Sequence, residues 1–285
     1  VKRILLPTDF SENAYNAIDY ALNLFKEEAC SFYLLHVFSP SIYYEERTFY
    51  DDRKMPLDDE NQIDSLRQLN ELRERILKKF KNPKHIFVPH STLGFLVDEI
   101  GTMIEKEEID LVIMGTKGAT GAKEVLFGTN TVDVIKKIEC PVIAVPSNYI
   151  FKIPGNVLFP TDYEIDYRKE QLAELLNIAN EYNSAIHILH IGGSSNLSEQ
   201  QVSNKLKLQK IVKGNSLFYD IPNGNTVEGI YKFQAKNPMD FLIMIQNKRT
   251  FLERLFIKSI VKKIGFTITI PFMVLPHWSK KGDTQ

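Results

Sequence analysis

Little in this chain lends itself to covalent or metal chemistry. It has only two cysteines, Cys30 and Cys140, too few for a disulfide framework and not spaced as a metal site. They read as core thiols in a reducing compartment. The six histidines do not group at metal-ligand spacing. There is no G-x-S-x-G elbow and no supported Cys/His pair, which removes the usual nucleophile arrangements. Charge of one sign is lacking too: 35 Lys+Arg stand against 36 Asp+Glu, for a net charge of −1. That balance gives no general pull toward nucleic acid or anionic membrane, and no basic stripe is present. It mildly favours self-association. No run approaches the roughly 20 apolar residues of a membrane span. The segment Val1-Lys2-Arg3-Ile4-Leu5-Leu6-Pro7 lacks a signal-peptide h-region. The expectation is a cytoplasmic protein with neither nucleic acid nor membrane as partner.

What is present is an alternation of strand and helix patterns. The length of 285 residues suggests two domains, and 44% hydrophobic with 25% charged residues is typical of a globular chain. Strands are expected at 3–7, 31–38, 85–89, 110–114 and 142–145. Helices are expected at about 11–27, 62–80, 94–107 and 131–138. Ser11 is a plausible N-cap for the first helix, whose apolar stripe is Ala14, Ala17, Ile18, Ala21, Leu22 and Phe25. The second helix offers Ile63, Leu66, Leu69, Leu72, Ile76 and Phe80 on one face. Residues 39–62 read as a polar and aromatic excursion in which Asp58-Asp59-Glu60 is a solvated loop. The alternation implies a mostly parallel sheet with helices on both faces.

The pattern then recurs. Val157-Leu158-Phe159-Pro160-Thr161-Asp162-Tyr163 repeats Ile4-Leu5-Leu6-Pro7-Thr8-Asp9-Phe10 at an offset of 153. Ile188-Leu189-His190-Ile191 repeats Leu34-Leu35-His36-Val37 at 154. Residues 223–276 match 93–146 without a gap at 130, carrying Gly94 to Gly224 and Asp110 to Asp240. Residues 147–155 are the expected linker, between domains at 1–147 and 155–277. His36 and His190, at equivalent strand ends, read as core or rim packing; His85, His90, His187 and His277 carry no signal.

The first copy holds the more informative loop. The apolar run Asp110–Met114 leads into Gly115-Thr116-Lys117-Gly118, with Gly128-Thr129-Asn130 following before a helix. A strand, a glycine-bearing loop and a helix N-terminus make a place for an anion. Glycines allow φ > 0 and close backbone approach, and the helix offers free N–H groups and a positive dipole end. Thr129 and Asn130 add side-chain donors. No GK[ST] follows and GxGxxG is absent, so this is neither a Walker P-loop nor the dinucleotide fingerprint. In the second copy Gly115, Gly118 and Gly128 become Ile245, Lys248 and Lys258. The fold therefore does not need those glycines, which points to a ligand in the first copy, the alternative being that each loop took its own conformation after duplication. Lys248, Arg249, Arg254 and Lys258 read as surface charge, with occupation of a phosphate's space a second reading for Lys258 at the helix entry.

The spacing G-x2-G-x9-G-[ST] resembles the nucleotide motif of the universal stress protein family. So do Leu5-Leu6-Pro7-Thr8-Asp9-Phe10-Ser11, His36-Val37 and Cys140-Pro141-Val142-Ile143-Ala144-Val145. The resemblance covers residues 1–146 and, more weakly, 156–276. It implies a tandem protein of two doubly wound α/β domains, Rossmann-like and of the adenine nucleotide alpha hydrolase-like type, with strand order 3-2-1-4-5. It implies an adenine nucleotide (ATP, AMP or ADP, with or without Mg) in the first domain, the second being degenerate. By the same resemblance Asp9 contacts ribose or base, beside Pro7 and Thr8, and Val37 borders the adenine. Met114, Gly115, Lys117, Gly118, Gly128, Thr129 and Asn130 line or hold the phosphates. An intrachain pseudo-dimer through 142–145 and 272–275 is expected, with a homodimer also open. Asp9 has a second reading as a helix-start residue. A sensing or regulatory role is expected, against a slow ATP hydrolase or a nucleotide-independent scaffold for a protein partner. Glu124 is the only acid within the motif loop, and no placed catalytic base is evident.

Overall fold

The computed structural model describes residues 1–38, 57–116, 128–192, 197–222, 226–246 and 269–277. The chain divides into two compact units, residues 1–140 and 141–285. The first contains β1 (Lys2–Pro7), α1 (Glu12–Leu24), β2 (Cys30–Phe38), α2 (Leu57–Lys79), β3 (His85–Leu93), α3 (Leu96–Lys106), β4 (Leu111–Gly115) and α4 (Thr129–Lys137). Its strands lie in the order β3-β2-β1-β4, all parallel. Parallel strands covered on both faces favour unbroken apolar runs, and Ile4, Leu5, Leu6, Leu111, Val112 and Ile113 are all buried.

The second unit contains β5 (Val142–Val145), β6 (Asn156–Thr161), α5 (Ala173–Glu181), β7 (Ala185–Gly192), α6 (Glu199–Ile211), β8 (Ser216–Pro222), α7 (Thr226–Lys236), β9 (Phe241–Ile245) and β10 (Phe272–Leu275). Its order is β5-β10-β9-β6-β7-β8. Read from its own first strand, β6, the second copy has the doubly wound order 3-2-1-4-5. β5 joins that sheet antiparallel to β10, Ala144 facing Phe272 and Val142 facing Val274.

Several elements depart from the sequence reading for physical reasons. α2 starts at Leu57, so Asp58, Asp59 and Glu60 are helical rather than loop. Acidic residues suit the positive end of a helix dipole. β3 runs through Pro89 to Leu93; it is the outer strand of its unit's order, where proline is tolerated. α4 begins at Thr129, two residues early. The α1 stripe is buried throughout, and Ser11 caps the helix by accepting from the Ala14 N–H at 3.2 Å.

The α2 stripe is only half right. Leu69, Leu72 and Ile76 are buried, but Ile63 and Leu66 are exposed, while Ser65 is 2% exposed. The inner face of the helix's first half is thus polar, because it meets a histidine at the end of β2.

Candidate functional site

The carboxyl end of β1 is shaped by a tight turn. Phe10 has φ 61°, a left-handed conformation costing roughly 1–2 kcal/mol in a non-glycine residue. The buried Thr8 stabilises it, its Oγ1 accepting from the Phe10 N–H at 3.0 Å. The Phe10 ring packs on the His36 imidazole, with centroids 4.5 Å apart. Asp9 Oδ1 accepts from the Ser11 N–H at 3.1 Å and from the Ser11 hydroxyl at 2.6 Å. Asp9 therefore braces the N-cap of α1, and it also lines the pocket below. The same turn recurs in the second copy. Tyr163 has φ 58°, Thr161 Oγ1 accepts from its N–H at 3.0 Å, and Asp162 Oδ1 accepts from the Glu164 N–H at 3.0 Å.

At the end of β2, His36 is held from behind. Its Nδ1 lies 2.7 Å from Ser65 Oγ on α2, and that oxygen lies 2.6 Å from Ser91 Oγ on β3. Burial holds His36 below the usual imidazole range, opposed by the negative charges of Asp9 and Asp64. The ring is neutral near pH 7. The other readings of the histidines hold in part: His190 stacks on Tyr163 at 4.9 Å, while His187 is bonded through both ring nitrogens, to Tyr219 and Asn156.

β4 and α4 form the other side of the site. β4 ends in Met114 and Gly115. Thr131 Oγ1 donates to the Gly115 carbonyl at 2.9 Å, in a buried bond. The Gly128 N–H donates to the Thr116 carbonyl at 2.6 Å. Gly128 is the N-cap of α4 and supplies no side-chain bond, and the first turn contains no acid. α1 and α3 by contrast carry Glu12 and Asp98-Glu99 in their first turns. The first turn of α4 therefore carries neither a side-chain cap nor an acid to offset the positive end of its dipole. Gly128 has φ −62°, ψ 154°, open to any residue. What glycine gives there is the missing side chain, not a special φ.

These pieces surround one pocket of about 330 Å³ in the first unit, within the usual range for small-molecule sites. Pro7, Thr8, Asp9, Val37, Met114, Gly115, Gly128, Thr129 and Asn130 all line it. Lys117 and Gly118, as well as Glu124, lie outside the described residues. Sequence reasoning missed Ala14, Gly94, Phe95, Leu96 and Thr131, and read His36 as core or rim packing; all six line the pocket. The signal for the Gly94 segment was available, since a glycine at the end of a strand pattern followed by two apolar residues is an odd start for a surface helix. Among the described residues no group of three His, Cys, Asp or Glu is placed to hold a metal, and no helix is long and apolar enough to cross a membrane.

The second copy is built differently at the same place. α6 reaches over the β6 turn, Gln201 Nε2 donating to the Asp162 carbonyl at 2.9 Å and Asn204 Nδ2 to the Tyr163 carbonyl at 2.8 Å. His190 faces Asp220 at 3.3 Å, and Asp220 accepts from Lys205 at 2.6 Å. Where the first copy has a His–Ser–Ser chain, the second sets His190 beside an Asp220–Lys205 ion pair. Ile245 ends β9 where Gly115 ends β4. The motif positions Lys248 and Lys258 fall outside the described residues, as do Arg249 and Arg254.

The sequence model described as the universal stress protein family matches residues 1–146. Two universal stress proteins of Methanocaldococcus jannaschii are similar to this chain. One is 30% identical over 146 residues, covering 50% of this chain and 81% of the relative. The other is 32% identical over 156 residues, covering 50% and 94%. A crystal structure of a universal stress protein from Archaeoglobus fulgidus DSM 4304 superposes with a TM-score of 0.70 at 16% identity. It covers 96% of this chain and 98% of that one, a likeness of fold along nearly the whole length.

Proposed function

The chain belongs to the universal stress protein family, and from that premise we propose that it is a regulatory protein holding one adenine nucleotide, ATP or its AMP or ADP relatives, in its first unit. The observation that carries this reading is the α4 N-terminus, free of any acidic residue or side-chain cap, opening on the same pocket as Asp9 and Val37. Backbone N–H groups at such a terminus bind phosphate. Asp9, at the end of β1, takes the ribose hydroxyls or the base edge, and Val37 borders the base. Mg, where it takes part, comes bound to the phosphates. The second copy is structural, with isoleucine in place of Gly115.

The reading includes slow or no hydrolysis. General base catalysis requires a group poised over the attacked atom, and the described pocket residues near α4 are threonines, an asparagine and glycines suited to holding phosphate. It also includes an intrachain pseudo-dimer of the two copies through their last strands, supported by the antiparallel β5–β10 pairing, with homodimer formation open to the same chain. A cytoplasmic setting is supported by two buried free thiols, Cys30 and Cys140. Mass spectrometry of whatever is released from the purified protein tests the ligand directly. An adenine nucleotide is expected. A protein that is empty and takes up no added ATP contradicts the reading.

A further inference from the structure

Phe95 is the N-cap residue of α3 and is 70% exposed, yet it lines the pocket beside Gly94 and Leu96. Its backbone is fixed on both sides. The Gly94 N–H donates to the Phe38 carbonyl at 3.1 Å, and the Glu99 N–H donates to the Phe95 carbonyl at 3.0 Å. Glu99 also folds back over the turn, accepting from Thr92 Oγ1 at 3.3 Å. A Cβ on Gly94 would stand 2.8 Å from the Glu99 carboxylate, the movable end of that side chain. A large aromatic ring is thus held on a rigid turn with most of its surface in water. An exposed phenylalanine leaves unrealised the stabilisation that burial of such a side chain gives.

The sheet order says which end of the pocket this ring occupies. Across β3-β2-β1-β4 the pocket residues run from Phe95 after β3, through Val37 on β2 and Asp9 after β1, to Gly115 and α4. With strands about 4.8 Å apart, three spacings separate the Phe95 end from the phosphate-binding end. That is the layout of an extended nucleotide, base at one side and phosphates at the other. The repeat supplies a control. At the offset of 130 that relates the two copies, Gly94-Phe95-Leu96 becomes Gly224-Asn225-Thr226. The copy that keeps the glycine motif has the apolar pair, and the copy that lost the glycines has a polar one.

We infer that Phe95 is the base-stacking residue of this chain, its ring closing on one face of the planar base bordered by Val37. The inference rests on the nucleotide reading above. Because every base has a π face, stacking of this kind adds affinity with little discrimination among bases. Phe95→Ala and Phe95→Trp are compared with the parent by calorimetry against ATP, with urea unfolding of each as a control. An exposed side chain leaves the unfolding midpoint nearly unchanged. Phe95→Ala is expected to weaken ATP about 5- to 150-fold, and Phe95→Trp to restore it. Unchanged ATP affinity in Phe95→Ala overturns the inference alone, as does a loss that tryptophan does not restore. A parent that does not bind ATP overturns the nucleotide reading and this inference with it.

Discussion

Thr131→Val isolates the bond that fixes the first turn of α4 to the end of β4. Thr131 is 2% exposed, and its hydroxyl donates to the carbonyl of Gly115, the last residue of β4, at 2.9 Å. Valine keeps the volume and the branch at Cβ, so the change removes the bond and little else. It leaves the buried Gly115 carbonyl without this donor, a loss of about 1–3 kcal/mol. The same stitch holds the first turn of α4 against the strand end, so its N–H groups should also lose their aim. Forfeiting one charge-assisted bond to a phosphate costs roughly 1.5–3 kcal/mol, about 10- to 150-fold in affinity. The second copy has Val261 at the equivalent position, in keeping with a copy that holds no nucleotide. Urea unfolding followed by circular dichroism gives the stability term, and calorimetry with ATP gives the binding term. Thr131→Ser keeps the hydroxyl and should recover most of both. A valine variant as stable and as tight-binding as the parent would refute the argument; so would a serine variant as impaired as the valine one.

Three further outcomes follow from the same geometry. Burial holds His36, His85, His187 and His190 below the usual imidazole range, so the fold keeps them neutral while the unfolded chain takes up protons first. Their contribution is complete above the unfolded value of about 6.5 and is lost as pH falls through it toward the folded values. Tm should drop between pH 7.5 and 5.5, with a shallower slope in His187→Gln; a flat profile counts against it. Ser11→Ala removes the acceptor for the Ala14 N–H and should destabilise by about 1 kcal/mol in urea titration, a neutral result contradicting the cap. ATP turnover should stay far below the ~10 s⁻¹ of an ordinary enzyme; sustained turnover near that rate, abolished in Asp9→Asn, would show that a catalytic base has been overlooked.

Local chemistry made part of this legible in the sequence. Pro7-Thr8-Asp9 and Gly115 announce themselves because a buried strand that ends in turn residues has a fixed direction, and the sheet order brings both ends to one place. The Ser11 cap and the α1 stripe likewise depend on neighbours a few residues away. Ser65 was not legible. Periodicity put Ile63 and Leu66 inward, but the partner that decides the face, His36, lies 29 residues away. Phe95 escaped for a related reason, since an aromatic at a helix start looks like core until its exposure is known. A glycine can give backbone freedom or simply lack a side chain, and the sequence does not say which holds at Gly128, whose φ is an ordinary −62°.

The central claim is that one nucleotide is bound per chain, in the copy that keeps Gly115. Native mass spectrometry of the whole chain saturated with ATP, beside a Gly115→Ile variant that installs the residue found at Ile245, measures this directly. The account predicts one nucleotide on the parent and none on the variant. Two nucleotides on the parent, none at all, or one retained by Gly115→Ile would contradict it.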